Sequence, residues 1–92
     1  MDRERQKKMV VQYLTTHYGI TARQAIDELG IMSLSSRISE LKKDGLPIKS
    51  EFIEVPTRFG DKARVKLYWM TGHPKEAFKR WNEMSGKHSA RS

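Results

Sequence analysis

Three residues, Gly30-Ile31-Met32, separate two amphipathic helix patterns, and so short a join forces the two helices to turn sharply against each other. The upstream pattern opens with Thr21-Ala22-Arg23-Gln24, a capping box with Thr21 as N-cap and Gln24 at N3. Ala25, Ile26 and Leu29 form its apolar stripe, and Gly30 ends it after about two turns. The downstream pattern takes Ser33 as its cap, and Leu34, Ile38 and Leu41 recur at i, i+4 and i+7. Lys42 and Lys43 fall in its last turn, where cations suit the helix dipole. Gly45 stops it, and Pro47 prevents its resumption.

The same punctuation divides the rest of the chain. Arg3 to Tyr18 reads as a first helix, with Met9, Val10, Tyr13 and Leu14 on one arc together with Gln6 and His17. Val11 falls outside that arc, and Gly19 is placed as a left-handed stop. Two strand patterns follow the helix pair. Ile48 to Val55 lies between Pro47 and Pro56, with Phe52 and Ile53 adjacent and therefore on opposite faces. Ala63 to Met70 alternates more cleanly, with Val65, Leu67 and Trp69 expected on the core and Arg64, Lys66 and Tyr68 on the other side. Residues 56–62 between them form a hairpin loop with a Gly-Asp turn signal. Thr71-Gly72-His73 is a break, and Pro74 opens a last helix with Ala77, Phe78, Trp81 and Met84 on one arc. Residues 85–92 are expected to be a flexible basic tail.

Composition narrows the chemistry. Eighteen Lys and Arg against eleven Asp and Glu leave a net charge of +7, and 92 residues bury one modest core. No cysteine is present, which excludes disulfides and thiolate metal sites. No apolar run approaches the roughly 20 residues of a membrane span, and the charged Met1–Lys8 end does not read as a secretory leader. The expectation is a soluble, cytoplasmic, basic domain whose field favours polyanions, nucleic acid first.

A short helix, a tight turn with glycine, a second helix and then a hairpin form an ordered set: Ile20-Thr21, Ala25, Gly30-Ile31, Leu34, Arg37-Ile38-Ser39, Leu41-Lys42-Lys43, Gly45, Ile48 and Tyr68. On these residues the stretch from Gln6 to Met70 resembles winged helix-turn-helix DNA-binding domains, in particular the small type found in bacteriophage and prophage genes. About 65 of the 92 residues are covered, and the last helix lies outside the pattern. The resemblance implies an α+β winged helix over residues 3–70, built from a three-helix core and a two-stranded hairpin wing; the extra C-terminal helix over 73–84 is expected from its own residue pattern alone. The resemblance further implies a sequence-specific binder of double-stranded DNA that regulates transcription, with helix 34–43 in the major groove and loop 56–62 as the wing.

Helical geometry agrees with this. If Leu34, Ile38 and Leu41 face inward, Ser36, Ser39, Glu40 and Lys43 face outward, with Ser35 and Lys42 beside them. Short hydroxyl side chains allow close approach to a groove, and free N–H groups from Ser33 onward suit a phosphate. Glu40 repels phosphate unless it accepts from a cytosine amine or pairs with a cation. Arg37 lies on the flank, either as a DNA contact or packed and paired with an acid such as Asp27. Residues 58–66 carry a net +3 from Arg58, Lys62, Arg64 and Lys66 against Asp61, suiting DNA backbone or minor groove, although lysines also protect a solvated edge hairpin. The candidate DNA-binding set is therefore Arg23, Ser33, Ser35, Ser36, Arg37, Ser39, Lys42, Lys43, Arg58, Lys62 and Arg64.

Three scattered histidines make no metal spacing, and no nucleophile elbow or phosphate loop is present, so neither cofactor nor catalysis is expected. His17 reads as a packed or boundary residue. Phe78 and Trp81 either pack on the domain itself or make a homodimer contact. Two rival functions remain: an architectural or excision-type DNA binder, and a winged-helix module that binds a protein partner instead of DNA.

Overall fold

The computed structural model describes residues 3–91, with side chains as far as Met84. Helix α1 spans Arg3–Thr16, strand β1 Ile20–Thr21, helix α2 Ala22–Gln24 with a π-helical turn over Ala25–Leu29, and helix α3 Leu34–Lys43. Strands β2, Ile48–Pro56, and β3, Lys62–Met70, form the hairpin, and helix α4 spans Pro74–Arg91. The antiparallel sheet has the order β1-β3-β2. Helices and sheet share one core, so the fold is α+β.

The sheet therefore has a strand beyond the expected two. Two residues are too short to show alternation, and Thr21 serves at once as strand and as N-cap. Its hydroxyl accepts from the Gln24 N–H at 3.3 Å, while the Gln24 side chain accepts from the Thr21 N–H at 3.0 Å. Ile20 pairs with Tyr68 and Thr21 with Leu67. Gly19 is needed for that pairing rather than for a left-handed turn. A Cβ there would lie 2.8 Å from both the Tyr68 carbonyl oxygen and Leu67 Cδ1.

The second helix departs from a plain two-turn α-helix. Its wider i+5 turn carries Leu29 back over Ala25, so Ala25 is buried, Leu29 half-buried, and Ile26 swings out to 40% exposure. Gly30 closes it at φ +70°, the left-handed stop expected there, and donates to the Ala25 and Ile26 carbonyls.

Helix α1 lies against α3, α4 and β3, which buries a wider arc than one stripe. Val11, outside the expected arc, is fully buried beside Val10 and Leu14, whereas Met9 is only partly buried. Helix α4 continues past Met84, because Ser85 and Gly86 weaken a helix without ending it. Trp81 is buried in the shared core, and Phe78 packs at its edge with the two rings 6.3 Å apart. The basic tail expected at residues 85–92 lies outside the side chains described.

The hairpin register runs unbroken from Ile48↔Met70 to Pro56↔Lys62, so the loop shortens to residues 57–61. Pro56 is tolerated because β2 is an edge strand. The core face of β3 is the reverse of the expected one. Tyr68 and Met70 are buried with Ile48, whereas Val65, Leu67 and Trp69 are half-buried on the other face. That second face borders a groove of about 490 Å³ with Tyr13, Tyr18, Ile53 and Val55. The helices cover only the base of the hairpin, and the more regular alternation belonged to the less covered side.

Candidate nucleic-acid interface

On α3 the inward stripe is as expected: Leu34, Ile38 and Leu41 are each at most 2% exposed. This places Ser35, Ser36, Ser39, Lys42 and Lys43 on the outer face, and all five are exposed. Neither lysine has an ion-pair partner among the described residues. Ser33 is the N-cap residue, but its side chain makes no capping bond. The Arg37 N–H reaches the Ser33 carbonyl at 3.2 Å, so the N–H groups of Leu34, Ser35 and Ser36 precede the first helical bond.

The flank of α3 turns towards the start of α1. Arg37 Nε lies 2.8 Å from Glu40 Oε1, and its Nη1 donates to Gln6 Oε1 at 3.1 Å. Arg3 meets the other Glu40 oxygen at 3.2 Å. Arg37 thus takes the packed and paired arrangement, with Glu40 and Gln6 as partners. Asp27 pairs instead with Arg23, at 2.9 Å in an exposed i,i+4 bridge. Glu40, held by two cations, leaves the outer face of α3 without an unpaired acid.

The hairpin supplies the second surface. Register and alternation put Phe52, Glu54, Arg64 and Lys66 on the face that begins, nearer the core, with Ile48, Tyr68 and Met70. The cations therefore extend outward on the side of the sheet that carries the helices. Arg64 Cζ sits 4.8 Å from the Phe52 ring centroid, and Lys66 Nζ lies 5.7 Å from both the Phe52 and the Tyr68 rings. Such contacts are worth about 0.5–1 kcal/mol at exposed sites. They orient the cations without neutralising them. Lys62 and Glu54 lie 4.0 Å apart, and Arg58 is exposed in the loop.

The predicted residues fall into two groups and two outliers. Ser33, Ser35, Ser36, Ser39, Lys42 and Lys43 share α3, and Arg58, Lys62 and Arg64 share the hairpin. Arg23 is exposed but paired, and Arg37 is engaged inside the domain. Lys66, Phe52 and Phe59 were outside the predicted set. The first two could have been found from the register that places them beside Arg64. Phe59 could have been found as a large apolar residue in a turn.

An ionic node around one buried cation supports this arrangement. Lys7 is only 7% exposed, and its ammonium lies 2.7 Å from Asp44 and 3.6 Å from Glu4. The Trp81 indole N–H donates to the same Asp44 oxygen at 3.0 Å. Asp44 caps the C-terminus of α3, so the node fixes that end against α1 and α4. Nearby, Tyr13 donates to Glu28 at 2.8 Å and stacks on His17, with ring centroids 3.9 Å apart. Burial first, then the hydrogen bond and charge of Glu28, push the Tyr13 phenol above its usual 10.0.

Among the described residues, no cluster of His, Asp and Glu could hold a metal ion, and no helix is long and apolar enough to cross a membrane. No curated protein matches the chain as a relative. The family described as "Winged helix-turn-helix domain" matches residues 5–72, from early α1 through the helix pair and the hairpin to the start of the last break. With that match over most of its length, the chain belongs to the winged helix-turn-helix domain family.

Proposed function

We propose that this protein binds double-stranded DNA sequence-specifically, with α3 in the major groove and the hairpin loop on the adjacent backbone or minor groove. The observation that carries this reading is the outer face of α3: three serines and two unpaired lysines, with its one acid held aside by Arg3 and Arg37. The lysines and the hairpin cations meet phosphates. Ser35, Ser36 and Ser39 meet base edges or phosphates, and the free N–H groups of Leu34 to Ser36 suit one phosphate. The role we attach to this chemistry is that of a small phage-type transcriptional regulator in the bacterial cytoplasm, a binder rather than a catalyst. It is supported by the family, the charge and the resemblance to small phage proteins.

Selection of duplexes from a random library at two salt concentrations tests it. A recovered consensus, bound with an affinity that falls steeply with salt, is the expected result. Flat affinity, or no enrichment, overturns it. The apolar groove beside Tyr18, Ile53 and Val55 favours the second reading, a protein-binding module. Failure to bind any duplex at low salt, with tight capture of one protein, selects that reading. Trp81 is committed to its own core, so a homodimer through α4 would rest on Phe78 and Met84, both at least partly accessible.

A further inference from the structure

Phe59 is 89% exposed, the most exposed large apolar side chain among the described residues. It makes no ring contact, unlike Phe52, which lies beneath two cations. Its position is built. The Thr57 N–H donates to the Asp61 carbonyl at 2.8 Å, the Phe59 N–H to Thr57 Oγ1 at 3.3 Å, and the Gly60 N–H to the Thr57 carbonyl at 3.4 Å. Below that turn the ladder is in register down to the core. A two-stranded ribbon with a hydrogen-bonded tip thus presents one phenyl ring, flanked by Arg58 and Lys62.

An apolar ring raised on a narrow basic projection matches one kind of site on a duplex. The minor groove is about 6 Å wide and concentrates negative potential where it narrows, which draws the flanking cations. A ring carried in with them meets the edges of stacked bases. Apolar side chains placed there part a base step and kink the helix away from them. We propose that Phe59 is such a wedge, entering a base step from the minor groove, so that this protein bends the DNA it binds. The inference rests on the DNA-binding reading above and assigns the wing tip a mechanical role within it. Pyrimidine–purine steps, the easiest to unstack, are the expected points of entry.

The test uses the full chain and a duplex of about 30 base pairs at about 50 mM salt, with an A·T-rich centre containing TpA steps. One end carries a donor dye and the other an acceptor, and 2-aminopurine replaces one central adenine. Wild-type protein should raise both energy transfer and 2-aminopurine fluorescence. Phe59→Ala should bind within about threefold of wild type, because the lost contact and the saved unstacking largely offset each other, and should return both signals to those of free duplex. Phe59→Leu should keep most of the bend. The ring is outside the core, so thermal melting should be the same for all three proteins. Bending by Phe59→Ala equal to wild type overturns the proposal, as does wild-type binding that leaves both signals unchanged. Loss of co-sedimentation with anionic vesicles in Phe59→Ala, with bending intact, assigns the tip to a lipid surface and overturns it too. Absence of any binding by wild type fails the DNA reading itself.

Discussion

Asp44 accepts from the Trp81 N–H and is the nearer partner of the Lys7 ammonium, whose other contact is the longer one to exposed Glu4. Removing one side of such an arrangement leaves the other desolvated, which costs more than the pair contributes. Asp44 is one-third exposed, which softens the penalty. Asp44→Ala is expected to lower stability by about 1–3 kcal/mol in urea denaturation, and Lys7→Met, which removes the buried charge, should recover part of that loss. Tyr13 gives a pH signature. Its phenol is raised in the fold, so the protonated form is favoured there. That contribution is complete below the unfolded value near 10.0 and is lost as pH rises through the folded one. Wild type should therefore lose stability relative to Tyr13→Phe above pH 10, with a constant difference between the two at neutral pH. The difference curve between the two proteins is the quantity to measure.

At the scale of elements, α3 was the most legible, because burial on one side imposes a strict period and polar residues fill the rest. The flank was less so. Arg37 pairs with Glu40 at i+3 on its own helix, a spacing open to sequence reasoning, whereas its bond to Gln6 depends on where α1 packs against α3. The hairpin was legible as a hairpin, but its core face was not, since the helices reach only its base and alternation continues beyond them. The short strand β1 carried no periodic signal, and its one clue, Gly19, was open to a simpler explanation. Gly19→Ala forces a Cβ against the β3 backbone and should cost about 1–3 kcal/mol, measurable as a lower urea midpoint. The two basic surfaces should separate in function. Arg58→Ala with Lys62→Ala should weaken binding to all duplexes alike and reduce the log–log salt slope by about 1.8. Ser36→Ala or Ser39→Ala should shift the selected sequence with little change in that slope. Equal loss across sequences for the serine variants would remove them from base readout.

For the whole molecule, the charge and the order of the helices and the hairpin were readable, β1 being the element missed, and the family match over residues 5–72 agrees with the helix-turn-helix and hairpin. If Lys42, Lys43, Arg58, Lys62, Arg64 and Lys66 each neutralise a phosphate, the salt slope should be about −5. The last helix is a different matter, because its place in the core depends on distant partners rather than on its own pattern. Trp81 lies beyond the matched segment yet is only 4% exposed, among residues that belong to it. Vacating the place of a buried aromatic costs about 3–5 kcal/mol, against a total of 5–15 kcal/mol for a domain of ordinary stability. A chain ending at Gly72 should accordingly show a much lower thermal midpoint by circular dichroism, even though every recognisable feature of the family would still be present. Anyone grafting this module onto another polypeptide, or shortening it to its family outline, would leave its keystone behind.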